Sequence, residues 1–193
     1  RGHAEALMPM IESVMAEGGR TYAELDLVAA TVGPGAFTGI RIGLAAARGL
    51  ALAAQKPCAG VTTLEALAAA ARVMHGGAVL AVVESRRADL FVQGFASSGA
   101  PLGAAAALQP EGLAEFVRAN DLAPGFVLAG DGAARAAAAR AQAGIVAQMN
   151  DAARVPDPAL VAAIAAGRQG QASALPPRAF YLRPPDVTFP KEG

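Results

Sequence analysis

The sequence predicts an α/β protein, in which helices cover a mixed β-sheet, and three observations support this. The apolar run LDLVAATV, residues 25–32, is typical of a strand that is buried on both faces. Two further apolar segments within residues 78–95 flank a polar turn and predict a β-hairpin. Beyond the hairpin, helical and strand patterns alternate as far as residue 167, which is typical of a sheet with helices on its faces.

Composition limits the class of protein. The chain has 193 residues, which fits one domain or two small lobes, and it has 16 basic and 16 acidic side chains. Because the formal net charge is zero and the basic residues form no tract, non-specific binding to nucleic acid is not expected. No stretch reaches the roughly 18 apolar residues that a membrane span needs, so we expect no contact with a membrane. A single cysteine, Cys58, excludes an internal disulfide, and the first residues lack a signal-peptide pattern, so we expect a cytoplasmic protein.

The first predicted helix precedes the apolar strand. Its apolar residues recur at helical spacing, at Leu7, Met10, Ile11 and Val14, and glycines at residues 18–19 mark its end. Apolar residues, several of them methionines, cover more of its circumference than one buried face needs. We therefore expect part of this helix to meet a partner; the alternative is that its apolar residues are ordinary core packing in a missing lobe.

A glycine-rich loop, GPGAFTG at residues 33–39, joins the apolar strand to a helix predicted at residues 40–53. Loops of this kind bind phosphate where backbone N–H groups converge at a helix N-terminus. The glycine spacing is one residue longer than the dinucleotide fingerprint, and no Gly-Lys-Ser/Thr follows, so neither a Rossmann site nor a P-loop is indicated. On shape alone, a tight turn with close packing is favoured over phosphate binding.

The rest of the N-terminal half follows the same alternation. Gly39, Gly43 and Ala47 recur every four residues and form a smooth stripe on which a strand or another helix can pack closely. A short strand at residues 56–61 and a helix at residues 63–74 complete this half.

The sequence HGG at residues 75–77 marks a boundary, so we predict an N-terminal lobe at residues 1–75 and a C-terminal lobe at residues 76–193. After its hairpin, the second lobe is predicted to contain helices, strands and an extended, proline-rich tail. These are helices near residues 110–119, from Ala133 onward and at residues 157–167, strands at residues 125–130 and 144–149, and the tail at residues 175–190.

Candidate catalytic groups are few. His3 and His75 lie far apart and have no Cys or carboxylate at metal-ligand spacing. Glu65 and Glu84 are candidate acids, but a glutamate on a helix surface or in a turn is usually solvated. No serine has the G-x-S-x-G setting of a nucleophile. The sequence therefore predicts no catalytic residue, no metal and no cofactor.

Five stretches together resemble the TsaB (YeaZ) family of bacterial proteins, which acts in the synthesis of threonylcarbamoyladenosine in tRNA. They are GPGAFTGIRIGLAAARGLA, GVTTLEALA, VVESRRADLFV, LAGDGAA and FYLRPPDV. The match extends over nearly the whole chain, although the family usually has Ser where Ala36 stands and Asp where Glu84 stands. The resemblance implies a two-lobed actin-like ATPase fold, in which each lobe is a ribonuclease-H-like βββαβαβα unit. The three opening strands of the first lobe are absent from this chain, so we expect the intact protein to have further residues before Arg1.

The resemblance also implies a partner function without catalysis by this chain. Related TsaD subunits transfer threonylcarbamoyl to adenosine 37 of tRNAs that read codons beginning with A. This chain would bind and activate TsaD as a heterodimer, with the ATPase TsaE joining and tRNA reached through the complex, and a homodimer is the alternative when TsaD is absent. Thr63 and Leu67 stand where TsaD-type chains have a metal-binding His-x-x-x-His pair, and a leucine cannot bind metal. Asp131 lies in the counterpart of a nucleotide-contacting Gly-Gly loop, where its carboxylate would repel phosphate.

Two sets of residues follow from this resemblance. The relic phosphate loop comprises Gly33, Pro34, Gly35, Thr38 and Gly39. The expected partner surface, on the first helix and on the helix after the loop, comprises Leu7, Met8, Ile11, Met15, Gly39, Arg41, Gly43, Ala47 and Arg48. The alternative function is an ATP-dependent small-molecule kinase of the same fold, which needs a phosphate-loop aspartate in strands before Arg1. A glycoprotein endopeptidase is disfavoured because the histidine pair is missing.

Overall fold

The structure is a computed structural model that describes residues 3–142, 148–151, 153–171 and 176–183. Within these ranges the strands are β1 (Val28–Thr31), β2 (Cys58–Val61), β3 (Val79–Glu84), β4 (Leu90–Phe95), β5 (Pro101–Leu108), β6 (Val127–Ala129) and β7 (Gln148–Asn150). The helices are α1 (His3–Glu17), α2 (Phe37–Ala54), α3 (Thr63–His75), α4 (Leu113–Ala119), α5 (Ala133–Gln142) and α6 (Pro158–Gly167). Short 3₁₀ turns lie at Tyr22–Glu24 and Pro110–Gly112.

The larger sheet has the strand order β5-β4-β3-β6-β7. Strands β3, β4 and β5 form an antiparallel meander, whereas β6 and β7 are parallel to β3. The central strand β3 is buried on both faces, because α3 packs on one side and the α4–α5 region packs on the other. The predicted mixed sheet with helices on its faces is therefore confirmed.

The smaller sheet consists of β1 and β2, which are parallel and in register from Val28 opposite Cys58 to Thr31 opposite Val61. Helix α2 contacts β1, and α6 contacts both strands. A small core joins Val61 and Ala66 to Val161 and Ala165 of α6. Helix α3 follows the small sheet in sequence but contacts the large one, and α6 follows the large sheet but contacts the small one. The two sheets are thus tied together by this exchange of helices.

One strand was not predicted. The segment 101–108 forms β5 although its sequence, PLGAAAAL, is dominated by alanine and glycine, which are poor strand formers. It becomes a strand because its backbone pairs with β4 over much of its length. The predicted strand at residues 144–149 lies partly outside the described residues, which show β7 at its end. Of the predicted tail at residues 175–190, the structure describes residues 176–183, and they form neither helix nor strand.

Helix α2 corrects the expectation about membranes. It has 18 residues and is long and apolar enough, by length and composition only, to cross a membrane. The expectation that no stretch reaches this length is therefore wrong, because alanine and leucine outweigh its two arginines. In the structure Leu44, Ala47 and Ala51 of α2 are buried, whereas its other residues are half-buried or exposed.

Candidate functional site

The glycine-rich loop begins with a tightly packed residue. Gly33 has φ +108°, and a Cβ added there would lie 2.8 Å from the carbonyl oxygen of Phe180 and 2.9 Å from Cδ1 of Ile40. The carbonyl oxygen of Gly33 accepts a hydrogen bond of 2.8 Å from the backbone N–H of Thr63. Only glycine fits this backbone conformation and this space. The first residue of the loop therefore serves packing between β1, α3 and the C-terminal segment.

The residues of the predicted relic phosphate loop do not share one environment. Gly33 and Pro34 are buried, Gly35 is half-buried, and Thr38 and Gly39 are exposed at the start of α2. Proline has no backbone N–H to offer an anion. Ala36, the N-cap of α2, makes no side-chain capping hydrogen bond, in accord with the loss of the hydroxyl that the family usually has there.

The C-terminal segment, residues 176–183, crosses this loop. The backbone N–H of Phe180 donates to the carbonyl oxygen of Val32 at 2.8 Å. Arg48 donates from both Nε, at 2.8 Å, and Nη2 to the carbonyl oxygen of Pro177. At its far end, Arg183 forms an ion pair of 3.1 Å with Asp89, which is buried in the β3–β4 turn. The segment therefore connects the small sheet to the large one.

An aromatic–arginine cluster, formed by Phe37, Arg41 and Tyr181, lies where this segment meets α2. The rings of Phe37 and Tyr181 are stacked, with centroids 5.6 Å apart and planes 29° apart. The guanidinium carbon of Arg41 lies 3.7 Å from the centroid of the Phe37 ring, and its Nε donates to the Tyr181 hydroxyl at 3.1 Å. Sequence reasoning missed this cluster, because Phe37 and Tyr181 are 144 residues apart.

A cavity of about 400 Å³ opens beside the aromatic–arginine cluster. Its lining comes from the glycine-rich loop, the start of α2, the β3–β4 turn and the C-terminal segment. The lining residues are Pro34, Gly35, Phe37, Arg41, Ser85, Arg87, Phe91, Phe180, Tyr181, Leu182 and Arg183. This volume is within the range of small-molecule sites.

The positions that correspond to metal ligands in TsaD-type chains have other roles. Leu67 is 1% exposed and packs in the core between α3 and the large sheet. Thr63, the first residue of α3, uses its backbone N–H to bind Gly33. In the part of the chain that the structure describes, no three His, Cys, Asp or Glu side chains are grouped so as to hold a metal ion.

The Gly130-Asp131-Gly132 loop is also engaged within the protein. A carboxylate oxygen of Asp131 accepts a hydrogen bond of 2.9 Å from the backbone N–H of Glu84, at the end of β3. The Glu84 side chain in turn forms an ion pair of 2.7 Å with Arg135. The Asp131 carboxylate thus fixes the β3–β4 turn and adds negative charge to its own loop.

The predicted partner surface divides into exposed and covered residues. On α1, Leu7, Ile11 and Met15 are half-buried, whereas Met8 is 38% exposed. Outside the predicted set, Met10 is 61% exposed and Val14 is 62% exposed. Helix α1 therefore contacts α2 with only part of its apolar circumference.

On α2 the structure corrects the expected partner surface. Ala47 is 6% exposed and belongs to the core, so its side chain cannot contact a partner. Gly39 is exposed, and no described heavy atom lies within 4 Å of a Cβ placed at Gly43. The expected close packing against Gly43 is thus wrong for the described residues, and that part of the stripe is open. Arg41 and Arg48, which belong to the expected partner surface, both hydrogen-bond to the C-terminal segment.

Comparison with known proteins identifies the family. The TsaD family, described as tRNA N6-adenosine threonylcarbamoyltransferase, matches residues 1–122, more than half of the chain. The chain belongs to the TsaD family.

Both types of TsaD-family protein are found among its relatives. The tRNA N6-adenosine threonylcarbamoyltransferase of Erythrobacter litoralis is 49% identical over 73 residues, which are 38% of this chain and 21% of that protein. The tRNA threonylcarbamoyladenosine biosynthesis protein TsaB of Escherichia coli is 36% identical over 92 residues, which are 47% of this chain and 40% of that protein. The chain thus spans well under half the length of these curated relatives.

Solved structures place the chain with the TsaB (YeaZ) type of the TsaD family. A Pseudomonas aeruginosa protein described as similar to peptidase YEAZ has a TM-score of 0.76 at 28% identity, and the match covers 94% of this chain and 84% of that one. YeaZ from Pseudomonas aeruginosa has a TM-score of 0.74 at 26% identity, covering 94% and 85%. The predicted actin-like, ribonuclease-H-like fold and the resemblance to TsaB are therefore confirmed.

Proposed function

We propose that this chain acts in tRNA threonylcarbamoyladenosine synthesis as a non-catalytic subunit that binds and activates TsaD. TsaD would transfer the threonylcarbamoyl group to adenosine 37 of tRNAs that read codons beginning with A. The ATPase TsaE would join the complex, and tRNA would be reached through the complex. This role places the protein in the cytoplasm.

The observation that carries this proposal is the buried Leu67. A metal-dependent transferase of this fold needs a ligand at this position, and here an apolar side chain is 1% exposed and part of the core. Leucine has no donor atom for a metal. The Asp131 carboxylate, held by the backbone of Glu84, adds repulsion against a phosphate. These residues disfavour metal and phosphate binding, so a role as the non-catalytic partner of an enzyme fits this chain better than catalysis.

The exposed parts of α1 and α2 supply a surface for that partner. Met10 and Val14 lie four residues apart on one face of α1 and are exposed. On α2, Gly39 and Gly43 are also four residues apart and have no side chains of their own to keep another helix away. Apolar residues in such a patch favour a protein interface. Methionine side chains suit a surface that accepts TsaD in the complex and a second copy in its absence.

The proposal is tested by reconstituting the modification. Purified TsaD, TsaE, ATP, a threonylcarbamoyl donor and an unmodified tRNA are incubated with and without this chain, and the modified nucleoside is measured by mass spectrometry. We expect product only when TsaD and this chain are both present. Val73→Asp alters a residue of α3 that is 77% exposed and is not part of the proposed surface on α1 and α2, so this variant should support product as wild type does.

Two results would contradict the proposal. Equal product with and without this chain means that TsaD does not need it. Product formed without TsaD, or phosphorylation of a small molecule by this chain and ATP alone, means that the chain is itself an enzyme, as the kinase alternative requires.

A further inference from the structure

The cavity beside the glycine-rich loop combines exposed aromatic rings with arginines. Phe37 is 48% exposed and Tyr181 is 43% exposed, although large aromatic side chains usually bury most of their surface. Both belong to the lining of the 400 Å³ cavity. We propose that this cavity binds one unpaired nucleotide of an RNA strand, with the base stacked on these rings. The choice of RNA as ligand rests on the proposed function.

The aromatic–arginine cluster is prepared for stacking. The Arg41 guanidinium lies over one face of Phe37 and is fixed by the Tyr181 hydroxyl, while Tyr181 stacks on the same ring. Rings and a guanidinium plane that are already oriented lose little conformational entropy when a base is added. Unpaired bases are commonly bound by proteins on aromatic rings and arginine planes.

The charge of the cavity suits the phosphate that accompanies such a base. Three arginines, Arg41, Arg87 and Arg183, line the cavity, and among the described lining residues there is no Asp or Glu. Arg183 is balanced by Asp89, at 3.1 Å, and Arg87 also interacts with other groups of the protein. Arg41, which contacts the uncharged side chains of Phe37 and Tyr181, keeps the lining positive in a chain whose formal net charge is zero. A local positive field attracts the RNA backbone without any basic tract in the sequence.

The same features favour a nucleotide within RNA over a free nucleoside di- or triphosphate. Polyphosphates are usually held by several backbone N–H groups. Here Pro34 has no N–H, and Gly33 is buried against Phe180 and Ile40. The Asp131 carboxylate occupies the neighbouring loop. The cavity therefore offers stacking and a single phosphate contact in place of a polyphosphate cradle.

The test measures RNA binding by this chain without TsaD. A fluorescein-labelled single-stranded RNA decamer is titrated with protein at low salt, and anisotropy gives Kd. We expect saturable binding that weakens about tenfold in Phe37→Leu/Tyr181→Leu, since stacking of a base contributes about 1–3 kcal/mol. Tyr22→Leu is the control, because it repeats the Tyr181→Leu change outside the cavity lining, and we expect its Kd within about twofold of wild type.

A second pair of variants tests the phosphate contact through the salt dependence of binding. Arg41→Gln should reduce the slope of log Kd against log salt by about 0.7, the value for one phosphate contact to a single strand. Arg118→Gln removes the same charge from an exposed position on α4 and should leave the slope unchanged. Circular dichroism verifies that each variant is folded.

Three outcomes would overturn the inference. They are the absence of saturable binding, equal weakening in the Tyr22 and Phe37/Tyr181 variants, and competition by AMP as effective as that of unlabelled decamer at equal nucleotide concentration. The last would assign the cavity to a free nucleotide. If the chain stimulates TsaD but fails these tests, the inference is wrong and the proposed function remains.

Discussion

Arg168 donates a hydrogen bond of 2.6 Å from Nη2 to Oε1 of Glu65, which joins the end of α6 to the first turn of α3. The other oxygen of Glu65 accepts from the backbone N–H and the hydroxyl of Thr62, and the Thr62 hydroxyl accepts from the Glu65 backbone. One carboxylate thus caps α3 and holds the helix that covers the small sheet. The Glu65 carboxylate thus lies between α3, which packs on the large sheet, and α6, which packs on the small sheet.

We expect Glu65→Gln to destabilise the protein by about 1.5–3 kcal/mol at pH 7, because hydrogen bonds to a charged, largely buried group are lost. Burial is the largest influence on the pKa of Glu65 and raises it, but the hydrogen bonds from Arg168 and Thr62 together outweigh burial and lower the pKa from its ordinary value of 4.5. The stabilisation is therefore complete above pH 4.5 and is lost as pH falls through the lowered pKa. Urea unfolding of both proteins over this pH range measures the difference.

The matched control is Glu24→Gln. Glu24 also accepts from the backbone N–H and hydroxyl of a threonine, Thr21, and its pKa is lowered chiefly by the backbone hydrogen bond, but its side chain is 48% exposed. We expect a much smaller loss of stability, because water replaces these partners. Equal losses in the two variants would show that the link between α6 and α3 contributes nothing.

Gly130→Ala should destabilise the protein by about 2–5 kcal/mol, from the cost of a left-handed backbone and of overpacking. Gly130 has φ +111°, and a Cβ would lie 2.0 Å from the carbonyl oxygen of Val82. Gly125→Ala isolates the backbone effect, since Gly125 has φ +82° and no heavy atom within 4 Å of the added Cβ. Its expected loss is about 1–2 kcal/mol. Thermal unfolding compares them, and equal melting temperatures would refute the packing argument.

The fold could be predicted where the hydrophobic pattern of a single short segment indicates its secondary structure. The apolar run before the glycine-rich loop and the apolar run of β3 are local features, and each is visible in a short window of sequence. Strand β5 could not be predicted, because its alanines have no strand preference and its conformation depends on pairing with β4.

The candidate site was predicted only in part for the same reason. The glycine-rich loop and the replacement of metal ligands at Thr63 and Leu67 are sequence features, so they were found. The contact of Phe37 with Tyr181 depends on the path of residues 176–183 across the loop. A single sequence contains no signal for such a distant contact.

Gly43→Ala should stabilise the isolated chain by about 0.5–1 kcal/mol, because alanine favours a helix interior over glycine and the added Cβ meets nothing within 4 Å. Gly49→Ala is matched to it, since Gly49 is also inside α2 with open space around its Cβ. Both should raise the melting temperature. If Gly43 faces TsaD, only the Gly43 variant should bind TsaD less well, and equal binding of both variants would place the interface elsewhere.

Cys58 should react slowly with iodoacetamide. Burial raises the pKa of its thiol above the ordinary 9.0, and the charge of Arg48 opposes this in part. The alkylation rate should therefore reach half its maximum above pH 9.0, since the thiolate is the reactive form. Arg48→Gln should move this midpoint to still higher pH, whereas Arg118→Gln should not. Because the chain has one cysteine, mass spectrometry follows the reaction directly. A midpoint below that of free cysteine would contradict the assignment.

The central claim, that the exposed face of α1 contacts TsaD, is tested most directly by calorimetry with Met10→Asp/Val14→Asp, two residues on one face of the helix. Both side chains are exposed in the isolated chain, at 61% and 62%. Circular dichroism should therefore show a folded variant. Burying two unpaired carboxylates in an interface costs several kcal/mol, about a hundredfold or more in Kd. We predict that this variant loses measurable affinity for TsaD while Val73→Asp binds like wild type, and wild-type affinity in the folded double variant would contradict the account.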